Sequence, residues 1–177
     1  MARQNIGIGA SANDGTGDVL RDAFEKTNQN FTELYGVTGW ESKFEPTSQS
    51  LTASNNLITI TGTSETNGGL TLLNSSGKVV PINLNDVLSI DFGCTVVTPA
   101  GTNNYIHLKF IVNSFVYRAI TIPLLKGSGN DDAVSLSASM PVGSDFNTNG
   151  MEVYIEPNIA LSIKDKYISV NRTHLGL

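Results

Sequence analysis

Few residues in this chain have the chemistry to form a reactive site. Cys94, His107 and His174 are its only thiol and imidazole groups in 177 residues. A zinc site takes three or four such ligands, and neither histidine has a Cys or second His near it in sequence. Each therefore reads as a surface or interface polar residue. Cys94 has no partner for an internal disulfide and sits in the apolar-rich run Leu88–Val97, so it reads as a buried structural thiol. Asn13-Asp14-Gly15-Thr16-Gly17-Asp18 superficially resembles a calcium loop. It lacks the alternating ligands, and Phe24 occupies the twelfth position where such a loop places glutamate. No lysine follows the glycines and no strand precedes them, which also excludes a phosphate loop. Asp131-Asp132 has no further ligands in sequence and reads as the tip of a solvated hairpin. Asn171-Arg172-Thr173 fits a glycosylation sequon, which matters only in a eukaryotic secretory pathway that nothing here indicates. No Ser/His/Asp order, nucleophile elbow or dinucleotide fingerprint is present. The chain reads as a non-enzyme with no cofactor and no metal.

The same polar run is better explained as a turn leading into a helix. Gly15 and Gly17 allow a sharp reversal. Thr16 or Asp18 is placed to cap the helix that follows, and Asp18 and Asp22 favour its positive dipole end. Gly36 stands at the C′ position. Along the helix, Leu20, Phe24, Thr27, Phe31 and Leu34 recur at intervals of four, three, four and three residues. That 3.5-residue repeat predicts a narrow coiled-coil seam, because the positions between are nearly all polar. A lone helix of about five turns is marginal in water, so this one requires a partner. The alternative is that it lies along the domain that follows.

Asn5-Ile6-Gly7, Asn13 to Asp18, Leu20-Arg21-Asp22-Ala23-Phe24 and Asn30-Phe31-Thr32-Glu33-Leu34-Tyr35 together resemble the N-terminal segment of tailed-bacteriophage virion proteins. In those families the segment opens tail fibres, head fibres and trimeric decoration proteins. The resemblance implies a homotrimer whose N-terminal arm, with Ile6 and Ile8 as its apolar residues, is fastened to the particle. The partner so implied is the major capsid protein or another virion protein. The C-terminal part would then project outward.

Composition is compatible with such a protein. Hydrophobic residues make up 40% of the chain, enough for a real core. No apolar run approaches the length needed to span a bilayer, and Met1-Ala-Arg-Gln-Asn lacks the apolar core of a secretory signal, so assembly in the host cytosol is expected. Net charge is −5, with four basic and seven acidic residues up to Glu45 and seven and nine thereafter. Neither part is basic, which disfavours direct nucleic-acid binding.

Residues 37–49 read as a linker, punctuated by Gly39 and Pro46, with Trp40 and Phe44 plugging the base of the next domain or joining an intersubunit contact. From residue 50 onward the period changes to two. Leu57–Thr61, Leu70–Leu73, Lys78–Ile82, Val87–Val97, Tyr105–Val112, Val116–Leu124, Ala133–Met140, Met151–Glu156, Ile159–Ile163 and Tyr167–Val170 are predicted strands with turn signals between them and no helix signature. Such a series predicts a jelly-roll-like antiparallel β-sandwich. Lys126–Asp132 and Gly143–Asn149 are polar connections, and Lys126, Asn130, Asp131, Asp132, Asp145 and Asn147 are the candidate display residues.

The chain thus divides into an anchoring arm and turn (1–17), a coiled-coil helix (18–36), a linker (37–49) and a β-sandwich knob (50–177). The expectation is a homotrimeric capsid decoration or head-fibre protein, located in the virion. A short tail fibre that adheres to a host-surface glycan or protein is the alternative.

Overall fold

The computed structural model describes residues 5–8, 15–35, 39–67, 69–97, 103–125 and 131–174. Among the described residues, helix α1 (Leu20–Tyr35) is followed by ten strands and one short helix, and all the strand pairing is antiparallel. One sheet takes β1 (Gly39–Glu45), β2 (Gln49–Leu51), β4 (Ser64–Asn67), β5 (Val87–Val97), β8 (Asp131–Pro141) and β10 (Leu161–His174). Its order is β4-β1-β10-β5-β8, with β2 also pairing β10. The other takes β3 (Asn56–Leu57), β6 (Tyr105–Val112), β7 (Phe115–Pro123) and β9 (Glu152–Pro157), in the order β3-β9-β6-β7. Helix α2 (Ser144–Asn149) connects β8 to β9.

The core follows from the alternation. Leu88, Ile90, Phe92, Cys94 and Val96 face inward from β5, and Ile106, Leu108 and Phe110 from β6, all buried. Ile163, Ile168 and Val170 of β10 and Val153 and Ile155 of β9 close the same cluster. The predicted strands Ile159–Ile163 and Tyr167–Val170 are one strand. Asp165, at φ 48°, marks the bulge that interrupts its register between Lys164 and Tyr167.

Three expectations are corrected. Residues 39–45 are not a linker: they form β1, laddered to β10 on one side and β4 on the other. Among the described residues, 58–82 do not form the regular strands their alternation predicts, and contribute only the short β4 and isolated bridges, Leu73 to Val79 and Val79 to Met151. Residues 143–149 are not an open loop, because Ser144–Asn149 is helical and buries Phe146.

The first two corrections share a cause. β1 buries Glu41, Lys43 and Glu45 and leaves Phe44 exposed. Its inward charges bond the main chain of the irregular segment. Glu41 Oε2 accepts from Leu72 N at 2.5 Å and Leu73 N at 2.7 Å, and Glu41 Oε1 accepts from Ser64 Oγ. Lys43 Nζ donates to the Asn74 carbonyl at 2.6 Å. Along 58–61, Ile58 N and Ile60 N donate to the Val153 and Ser76 carbonyls. The alternate amides, Thr59 N and Thr61 N, donate to Gln49 Oε1 and Glu45 Oε2. Side chains thus supply acceptors that a neighbouring strand would otherwise provide.

Candidate functional site

The predicted seam lies on α1, but its residues do not all behave alike. Leu20 is 73% exposed, Phe24 59% and Phe31 51%. Thr27 is half-buried and turns its hydroxyl onto the Ala23 carbonyl at 2.8 Å. Leu34 falls within the helix, and its side chain lies outside the described residues. No strand packs along α1 among the described residues. Among the described residues the helix has no extensive packing against the sandwich, and Leu20, Phe24 and Phe31 are exposed within one chain.

The helix begins at Leu20, two residues after Asp18. The Asp18 carboxylate does not cap it. Oδ2 accepts from Gly7 N at 2.8 Å and from Lys26 Nζ at 2.6 Å, while Asp18 N donates back to the Gly7 carbonyl. The Lys26 bond, then the Gly7 amide, hold the Asp18 pKa below its ordinary value. Asp18 thus joins the arm to the first two turns of the helix. Ile6 and Ile8 on that arm are exposed. Gly15 takes φ 68°, the left-handed conformation its turn requires, with Thr16 and Gly17 between it and Asp18.

The candidate display residues are not brought together. Lys126, Asn130 and the Gly36 C′ position lie outside the described residues. Asp131 and Asp132 open β8, opposite Val97 and Val96, instead of sitting at a hairpin tip. Asp131 pairs with Lys164 Nζ at 2.6 Å, which raises the lysine pKa, and Asp132 accepts from Leu125 N. Asp145 and Asn147 are exposed on α2, at the sandwich end where β1 begins.

Cys94 is buried, and burial pushes its thiol up to about 12. His107 Nδ1 lies 2.8 Å from Thr121 Oγ1, with Tyr105 edge-on to its ring. The His174 side chain lies outside the described residues. Among the described residues no three His, Cys, Asp or Glu side chains are grouped to hold a metal ion, and no helix is long and apolar enough to cross a membrane.

Sequence reasoning missed two surfaces. Among the described residues β7 is an outer strand paired only to β6, and all but one of its residues are exposed. Phe115, Val116, Tyr117 and Ile120 leave it with an apolar, uncovered character, which natural edge strands ordinarily avoid. Its hydrophobic alternation was readable, but its edge position depends on sheet order. The second surface is a polar cleft where the β6–β7 turn meets the start of β9.

Two antiparallel sheets closed over one core, preceded in the chain by a helix with exposed Leu20, Phe24 and Phe31, define a jelly-roll-like β-sandwich protein. The chain belongs to the family of bacteriophage T4 gp9/10-like proteins, N-terminal, whose profile matches residues 3–102. It is thus a bacteriophage structural protein. The match runs through the arm, α1 and the strands up to β5. Among solved structures, the Eiger TNF of S. frugiperda is similar at 6% identity with a TM-score of 0.51, covering 78% of this chain and 94% of that one. The globular domain of zebrafish complement 1qA protein is similar at 10% identity with a TM-score of 0.50, covering 78% and 99%. These likenesses establish the jelly-roll-like fold. No curated protein sequence matches the chain.

Proposed function

We propose that this chain is a homotrimeric capsid decoration or head-fibre protein, anchored to the particle through its N-terminal arm and displaying the sandwich as a knob. The observation that carries this reading is the exposure of Leu20, Phe24 and Phe31 at coiled-coil spacing on a helix with no extensive strand packing among the described residues. An isolated 16-residue helix with such a stripe is stabilised by packing against copies of itself. Threefold association comes from the family resemblance of the N-terminal segment. The exposed edge of β7 offers a second surface for contact between neighbouring knobs. Decoration is preferred to a tail fibre because α1 is only about 24 Å long, and extending reach calls for a repeated shaft.

Two measurements test the proposal. Light scattering on the isolated protein gives three times the 18.9 kDa chain mass if it is right, and the chain mass itself if it is wrong. Gold labelling of a C-terminal tag on intact particles decorates the capsid shell. Label at the tail would replace decoration with the adhesive tail-fibre reading.

A further inference from the structure

The polar cleft has a volume of about 390 Å³, within the range of small-molecule sites. Four separate segments of the chain build it. Asn55 comes from the loop before β3, Lys78 from the irregular segment, and Asn113 and Ser114 from the β6–β7 turn. Asn149 and Gly150 at the end of α2, with Glu152 and Tyr154 of β9, complete the wall.

The charges inside it are internally matched. Lys78 Nζ lies 3.3 Å from Glu152 Oε1, and Tyr154 OH donates to Glu152 Oε2 at 3.3 Å. An anion entering the cleft meets a cation already balanced by a carboxylate, so the site has little to offer a phosphate or sulfate. Burial, then Glu152, raises the Tyr154 pKa, so its hydroxyl stays protonated at neutral pH. What remains available is uncharged: three side-chain amides, each with donors and an acceptor, and two hydroxyls. The Tyr154 ring and Ile111 supply the limited apolar surface.

The backbone around these groups is fixed. Asn113 and Ser114 take φ 45° and 69° in a two-residue turn, the conformation that joins antiparallel strands most tightly. Gly150 takes φ 68°, and a Cβ there would meet the Val79 carbonyl oxygen at 2.4 Å and Lys78 Cε at 2.9 Å. Asn149 Nδ2 donates to the Asp145 carbonyl at 3.0 Å, which orients its amide. The turn backbone and the Asn149 amide are therefore held in place before any ligand arrives.

We infer that this cleft binds a neutral, polyhydroxylated ligand, a hexose or N-acetylhexosamine unit of a glycan. Neighbouring sugar hydroxyls, each both donor and acceptor, match amides that are donor and acceptor in the same plane. The C–H face of a pyranose ring fits the small apolar area beside Tyr154. The inference does not depend on trimer formation or on where the protein sits on the particle.

Saturation-transfer NMR on the full chain tests it, with glucose, galactose and N-acetylglucosamine as neutral probes and glucuronate and glucose 6-phosphate as anionic ones. Transfer to at least one neutral sugar is expected. It should be lost in Asn55→Trp, which fills the cleft from an exposed position, and in Tyr154→Ala. An unchanged melting temperature in Asn55→Trp shows that the loss is not unfolding. Absence of transfer to all three neutral sugars overturns the inference. So does transfer that survives Asn55→Trp, or stronger binding of the anions than of the sugars.

Discussion

Arg172 Nη2 donates to Asp86 Oδ1 at 2.9 Å, and both side chains are sealed from solvent. The pair holds several segments together at the end of the sandwich where β1 begins. Arg172 lies opposite Gly39 and Leu88, while the Asp86 main chain accepts from Val142 N, just before α2. Asp86 Oδ2 also accepts from Asn83 N at 3.1 Å. Removing one member of a buried pair strands the other charge. Arg172→Met is therefore expected to lower unfolding free energy by about 3–5 kcal/mol. Replacing both residues, Arg172→Met with Asp86→Leu, should recover much of that loss. Urea unfolding of the two variants checks this, and equal losses in both would show that the pair itself stabilises.

A second prediction concerns Glu41, whose carboxylate is an acceptor for two consecutive buried amides. In Glu41→Ala, Leu72 N and Leu73 N lose their acceptor, and a buried donor without one costs about 1–3 kcal/mol. The segment around them has little strand pairing of its own, so it should loosen before the sandwich does. Hydrogen exchange is expected to speed up at Leu72 and Leu73 while Ile90 and Leu108 stay protected. Uniform acceleration across the core would mean that the segment and the sandwich unfold as one unit.

Glu45 gives the fold a defined acid sensitivity. Its carboxylate accepts from Thr47 Oγ1 at 2.6 Å and Thr61 Oγ1 at 2.7 Å, and from both backbone amides. The Thr47 hydroxyl, then that of Thr61, hold its pKa at about 2, below the ordinary 4.5. The unfolded chain takes up this proton first as pH falls, so the stabilisation is complete above the ordinary value. It disappears as pH drops from 4.5 toward about 2. The melting temperature should fall across that interval, and Glu45→Gln should flatten that part of the profile. A profile unchanged by the substitution would assign the acid sensitivity to other carboxylates.

What could be read from sequence depended on how far each feature relied on local periodicity. Tyr105–Val112 matches β6 residue for residue, because a half-buried strand displays its period directly. β1 was hidden because Gly39-Trp40-Glu41-Ser42-Lys43-Phe44-Glu45 reverses the usual rule, turning charge inward and Phe44 outward. That reversal is stable only because an irregular segment, distant in sequence, brings amides and a carbonyl to meet the charges. α2 is six residues long, too short for a helical period to register. The cleft draws on four segments between Asn55 and Tyr154, and no local pattern joins them. The spacing of Leu20, Phe24 and Phe31 was local, and the stripe was legible.

The stripe leads to the last prediction. Phe24 and Phe31 are exposed in the single chain, so truncating either should leave the sandwich untouched. In a packed three-helix seam the same change removes a large apolar side chain, which costs about 3–5 kcal/mol in a core. Phe24→Ala and Phe31→Ala are expected to shift the protein from trimer toward monomer in sedimentation velocity, without moving the unfolding midpoint of the β-sandwich. Asn28, exposed and off the stripe, supplies the control: Asn28→Ala should change neither quantity. If Asn28→Ala dissociates the assembly more than either phenylalanine variant, the seam runs along a different face of α1. If neither phenylalanine variant changes the oligomer, association resides in the sandwich, and the exposed edge at Tyr117 and Ile120 becomes the surface to mutate next.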